Sequence, residues 1–282
     1  MTFPEDLTAR EAYILEQVQI GAYEARWSTV TSSIGTASAV FIVMADALKV
    51  EGVRVNVSAK LEQQLADTLN CSLLTPKLAD LIWLQSAVRA APYPRQITSS
   101  TQAMIEHSQK LDKLLTSLGN PVGLLSTVGK HWVLDKALTS HPGKAENYGW
   151  HFSGASFQGI TGEVVATLTK DPKTGSYYRL IQGCGWAHDI HHADYSQTCV
   201  LVSKQCWVNG TLMNLEDVLA DANLAPLAAH NGITPITRQP GVDQLISLVQ
   251  PLTALPAGLE PSNQPAEYPD WYTKLLNDSL GV

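Results

Sequence analysis

Between Thr8 and Arg26 the apolar residues Ala12, Leu15, Val18 and Ala22 recur on one helical face. Thr8 followed by Glu11 has the spacing of a capping box, so the segment predicts an amphipathic helix. Val30 to Val50 is dense in β-branched residues and Ala around Gly35, which predicts two strands. Ser58 to Ala90 returns to helical spacing and predicts two helices. Ser58 caps a run with Leu61, Leu65 and Leu69, and Thr75-Pro76 opens one with Leu78, Leu81, Ile82 and Ala87. Ala91-Pro-Tyr-Pro breaks the pattern, and a further helix is expected from about Thr101 to Leu118, stopped by Gly119-Asn-Pro.

Beyond this point the period shortens. His131–Leu138, Glu146–Phe152, Gly162–Thr169, Tyr177–Gln182 and Thr198–Val208 alternate or run apolar between Gly, Pro and Asn-Gly breaks, and predict strands. Asn209-Gly210 is the strongest hairpin signal. Leu215 to His230 reads as helix with a C-cap at Asn231-Gly232. Pro251, Pro256, Pro261, Pro265 and Pro269 punctuate the tail, where a short helix is expected around Trp271–Leu276. The order predicts the α+β class: a helical N-terminal portion (about 1–120) on a mostly antiparallel sheet (about 125–230), then a C-terminal helix and a Pro-rich tail. No linker separates the halves, so residues 1–250 are expected to form one domain and 251–282 the tail.

Composition narrows the functions. With 45% hydrophobic and 16% charged residues in 282, the chain has the makings of a substantial core and is not a disordered polymer. A net charge of −7 with no basic run argues against nucleic acid as a partner. The longest apolar stretch, Ala37–Leu48, is interrupted by Ser38 and Asp46 and is too short for a bilayer span. The first residues lack the pattern of a secretory signal, so synthesis in the cytoplasm is expected, with virion association or release as later fates. Cys71, Cys184, Cys199 and Cys206 have no CxxC spacing and are expected to be ordinary buried thiols.

Candidate chemistry concentrates between Asn147 and Cys199. Trp186-Ala-His188-Asp-Ile-His191-His192-Ala-Asp194-Tyr-Ser196 gathers three His and two Asp, and His151 lies upstream in Asn147-Tyr-Gly-Trp-His151. His ligates metals and exchanges protons near neutral pH, and an interleaved Asp can hold an imidazole tautomer. Three chemistries compete. A zinc site would draw on His151, His188 and either His191 or Asp194 and keep a position open for water. A thiol mechanism would use Cys199, because Ser196-Gln-Thr-Cys199 resembles the S-H-G-C signature of L,D-transpeptidases. Gln197 stands there in place of the His and cannot generate a thiolate. Metal-free acid–base catalysis would use Asp189 or Asp194 with a His, while Glu163 is expected at the surface of a strand. The bland alternative is a solvated His-Asp turn.

Leu7-Thr-Ala-Arg-Glu-Ala12, Leu74-Thr75-Pro76, Tyr148-Gly-Trp-His151, Ile181-Gln182, His188 and Asp194-Tyr-Ser196 together resemble a poorly characterised bacterial and phage-associated family. Its pattern is Y-G-W-H … I-Q … H … D-Y-S-H, and the likeness spans roughly residues 6–240. Gln197 and Thr198 depart from it, replacing His and Gly. The resemblance implies site positions more than a reaction. The leading expectation is a hydrolase of cell-envelope, peptidoglycan-like material with catalytic His151, His188, Asp194 and Ser196. The alternative is a non-catalytic virion or assembly protein that binds protein partners and not a cell-wall polymer.

Overall fold

The computed structural model describes residues 3–126, 128–152, 154, 156–158, 164–167 and 179–259. Helix α1 (Leu7–Gln19) leads into the hairpin β1 (Trp27–Ile34) and β2 (Ala37–Met44). A tight ladder of β3 (Lys49–Val50) and β4 (Val53–Arg54) precedes α2 (Ala59–Thr68), β5 (Cys71–Leu73) and α3 (Pro76–Gln85). Then β6 (Val88–Arg89), α4 (Thr101–Ser117) and β7 (Leu125–Ser126) follow, with β6 parallel to β7. The second half carries β8 (Lys130–Val133), β9 (Glu146–Phe152), β10 (Ser156–Gln158), β11 (Val164–Thr167) and β12 (Arg179–Gly185). It closes with β13 (Leu201–Val208), β14 (Thr211–Asn214) and α5 (Leu215–Ala220).

The class is α+β, with mostly antiparallel sheets. Helix starts follow the side chains that satisfy their first free N–H groups. Ser58 accepts from Leu61 N at 3.2 Å and Thr75 from Leu78 N at 3.1 Å, as expected. Helix α1 is capped two residues earlier than Thr8 implies: Asp6 accepts from Ala9 N at 2.9 Å. Glu11 instead accepts the Ser58 backbone N–H at 2.7 Å and so ties α1 to the start of α2.

Two sheets organise the molecule. In the larger, β2 and β13 are central neighbours, with β1 beyond β2 and both β5 and β14 along the far side of β13. Strands from the first and last thirds of the described chain therefore share one sheet, so the helical and sheet-rich parts interleave. Asn209-Gly210, at φ +50° and +79°, makes the β13–β14 turn, and Val208 pairs with Thr211. In the smaller sheet β9 lies between β8 and β12. Phe41, Val43, Leu61, Leu65, Leu73, Leu78, Trp132 and Leu201 are among the buried side chains of the continuous core. Among the described residues no helix is long and apolar enough to cross a membrane.

Several expected boundaries move. The strand expected at His131–Leu138 stops at Val133 and a 3₁₀ turn, Lys136–Ser140, replaces its end, because Asp135 caps that turn through Ala137 N. The helix expected from Leu215 to His230 ends at Ala220, and Pro226, which lacks an N–H, falls in a separate 3₁₀ turn, Ala225–Leu227. Glu163, the Trp271–Leu276 helix and parts of the 162–169 and 177–182 strands lie outside the described residues.

Candidate functional site

Helix α3 is apolar apart from a few positions, and one of them is Asp80, fully buried. A carboxylate placed there must find donors, since an unpaired buried charge costs far more than a hydrogen bond returns. Three groups supply them. Tyr148 donates its hydroxyl to Oδ1 at 2.8 Å, His151 Nε2 donates to Oδ1 at 2.5 Å, and His230 Nε2 donates to Oδ2 at 2.6 Å. Burial alone would raise the Asp80 pKa, but the hydrogen bonds from His151 and His230 outweigh it and hold the carboxyl well below the usual range. One turn back, Lys77 donates to the Pro226 carbonyl, and burial lowers its pKa to about 8 against the pull of Asp80.

Strand β9 delivers two of these donors by an unusual route. Side chains alternate across a strand, so residues 148 and 151 belong on opposite faces. Gly149 at φ +121° and Trp150 at φ +57° turn the strand over between them, and both side chains reach the same carboxylate. A non-Gly residue in that region costs about 1–3 kcal/mol and persists only where its surroundings enforce it. The His151 ring is enclosed by Trp83, stacked at 5.5 Å and 20°, and by the edge-on ring of Tyr148 at 5.7 Å.

Two positions before Tyr148, Glu146 lies on the same pleat face and is fully buried. Neither of its carboxylate oxygens has a hydrogen-bond partner among the described residues, although the Cys184 thiol and Trp186 indole approach. Burial pushes its pKa up to about 7, with the neighbouring Asp135 adding to the rise. His131, paired with Tyr148 across β8–β9, is also buried, and desolvation lowers its pKa to about 4, helped by His151.

The residues singled out between 188 and 196 sit elsewhere. The pleat puts Lys130 and Trp132 on the opposite face of β8 from His131, and these two meet the 188–196 segment. Lys130 Nζ donates to Asp194 Oδ2 at 3.0 Å, while His188 and His192 stand edge-on to Trp132 at 6.1 and 6.5 Å. Asp194 is only 2% exposed and organises a turn. Its Oδ1 accepts from Ser196 N at 2.8 Å and Ser196 Oγ at 2.5 Å, and its own N–H is taken by Gln197 Oε1. Gln197 is thus part of that turn. Burial opposes ionisation of Asp194, yet His192, Lys130 and Ser196 hold its pKa well below the ordinary value. His188 and His192 stack face to face at 3.8 Å, and burial followed by His192 lowers the His188 pKa. His191 is exposed.

Of the expected site residues, His151 therefore enters the Asp80 cluster, while Asp194 and Ser196 close a buried turn beside the His188–His192 stack. Among the described residues no group of three or more His, Cys, Asp or Glu is placed to hold a metal ion. Asp80 and His230 lie outside the site residues expected from the sequence, whereas Tyr148 belongs to the Tyr148-Gly-Trp-His151 motif. The signal for Asp80 was available: an acidic residue in the otherwise apolar Leu78-Ala-Asp-Leu-Ile-Trp83.

Fold and cluster together define an α+β protein with a buried carboxylate shared by two imidazoles and a phenol. The chain matches no family model, no curated protein and no solved structure.

Proposed function

We propose that this protein is a hydrolase in which His230, oriented by Asp80, performs acid–base chemistry on cell-envelope, peptidoglycan-like material, with His151 and Tyr148 holding the Asp80 carboxylate. The observation that carries the reading is the shared carboxylate. A buried anion fixes the tautomer of each imidazole and stabilises the imidazolium formed when that ring takes a proton. His230 is the partner nearer solvent, its side chain 12% exposed against 4% for His151. His230 is accordingly the group that exchanges protons with substrate and water, while His151 and Tyr148 hold Asp80. The substrate class rests on the likeness of Ser196-Gln-Thr-Cys199 to the L,D-transpeptidase signature and on the phage association, which are analogy and not geometry.

A second reading has its own observation. Asp80 joins three distant parts of the chain, 68 positions from Tyr148 and 150 from His230, and so could be a structural tie in an assembly protein. His230→Gln separates the two. Release of soluble fragments from purified peptidoglycan should fall at least roughly tenfold while the thermal midpoint moves only a few degrees. A wild type without hydrolysis, or a folded His230→Gln protein with full activity, refutes the enzyme and leaves the structural tie.

A further inference from the structure

Directly beside His151 is a cavity of about 10 Å³, whose walls include Ser126, His131, Trp150, His151, Trp83 and Val200. Three of these side chains present buried polar atoms with no hydrogen-bond partner among the described residues: Ser126 Oγ, His131 Nδ1 and Trp150 Nε1. Buried polar atoms left unpaired are rare and costly, and three around one small space have a common remedy. The volume matches the roughly 10–15 Å³ that accommodates a single water, and buried waters typically make about three hydrogen bonds.

We propose that this cavity is a binding site for one long-lived water molecule, and that the water positions His151 by anchoring Trp150. The indole N–H can only donate, so the water accepts from it. The water's own protons go to two acceptors, Ser126 Oγ and a bare His131 Nδ1. His131 meets that demand because burial favours its neutral ring, with a pKa lowered to about 4. The anchored residue is the one at φ +57° whose backbone turns β9 over and brings His151 onto the face of Tyr148. Ser126 and His131, neither of which touches Asp80 in any hydrogen bond described above, thereby become positioning residues for the Asp80 cluster. The inference stands on the cavity and does not require the hydrolase reading.

The test is a water-selective nuclear Overhauser measurement on ¹⁵N-labelled protein, with the Trp150 indole signal assigned by its loss in Trp150→Phe. The wild-type indole proton should show a cross-peak to water with the sign of a residence time longer than molecular tumbling. Ser126→Val, which places a methyl in the cavity, should abolish that cross-peak. In both variants the ¹⁵N signals of the His151 ring should shift, whereas a Lys113→Ala surface control leaves them in place. No long-lived water at the wild-type indole overturns the proposal without any variant having to fold. A cross-peak that persists in folded Ser126→Val, or His151 signals indifferent to both variants, overturns it as well.

Discussion

Glu146 makes the protein's stability depend on pH in a direction opposite to that of most carboxylates. Its fully buried carboxyl, with neither oxygen hydrogen-bonded among the described residues, has a pKa pushed up to about 7 by burial first and then by Asp135. In the unfolded chain a glutamate titrates near 4.3. Between those values the unfolded state loses the proton while the folded state keeps it, so stability falls as pH rises from about 4.3 to 7 and levels off above. The gap corresponds to on the order of 3 kcal/mol. That is a large part of the roughly 5–15 kcal/mol that usually separates folded from unfolded domains. Glu146→Gln keeps the shape and removes the titration. Urea unfolding of both proteins at pH 4.5, 6, 7 and 8 isolates the group, because contributions from histidines cancel in the difference. The variant should gain on the wild type by about 3 kcal/mol between pH 4.5 and 8. A difference that stays constant across this range would show that the Glu146 carboxyl is better solvated or paired than described, and would refute the reasoning.

Three further expectations follow from the same contacts. Asp194→Asn breaks a buried pair with Lys130 and should cost on the order of 3 kcal/mol, seen as a thermal midpoint lowered by roughly 6–12 °C; an unchanged midpoint would return Asp194 to the solvated, functional role expected from the sequence. Gly129→Ala would put a Cβ 2.4 Å from both the Ser196 carbonyl oxygen and Thr198 Oγ1, and since a backbone atom cannot swing away the variant should lose about 1–3 kcal/mol in urea unfolding. All four thiols should react slowly with iodoacetamide at neutral pH in the native protein: burial raises the pKa of Cys199 well above its ordinary value, moves Cys71 and Cys206 to about 12, and raises that of half-buried Cys184 with help from Glu146. Rapid, selective alkylation of any one of them, read by mass spectrometry, would contradict that assignment.

Much of the fold was legible because local rules wrote it. Ser58, Thr75-Pro76 and Asn209-Gly210 act on neighbours two or three positions away, and strand β9 falls where its pattern placed it. The site was less legible for the converse reason. Asp80 and His151 are 71 positions apart, and nothing in either neighbourhood encodes the other. The 188–196 cluster stands out by density, and its Asp194 and Ser196 form a turn while His188 and His192 stack. Alternation also misleads at Tyr148 and His151, since the positive φ values of Gly149 and Trp150 reverse the face that period two assigns. Pro226, which cannot donate a backbone bond, stands against an unbroken helix to His230, whereas the stop at Ala220 comes where extended Asp221 accepts the Asn223 and Leu224 N–H groups with its side chain.

The shared sheet also sets a timetable for synthesis. Ser38 at the start of β2 donates its backbone N–H to Asn209 Oδ1, 171 positions later, and among the described residues β13 is the strand that covers that side of β2. A ribosome adding about 5–20 residues per second therefore leaves that edge unpaired for on the order of ten seconds or more. Throughout that interval the row Phe41-Ile-Val-Met44, destined for burial, presents open backbone groups to any other strand nearby. Nascent chains crowded on one messenger would thus be most vulnerable to mispairing through β2, and a chaperone that shields this hairpin would matter more to yield than one acting on the finished protein.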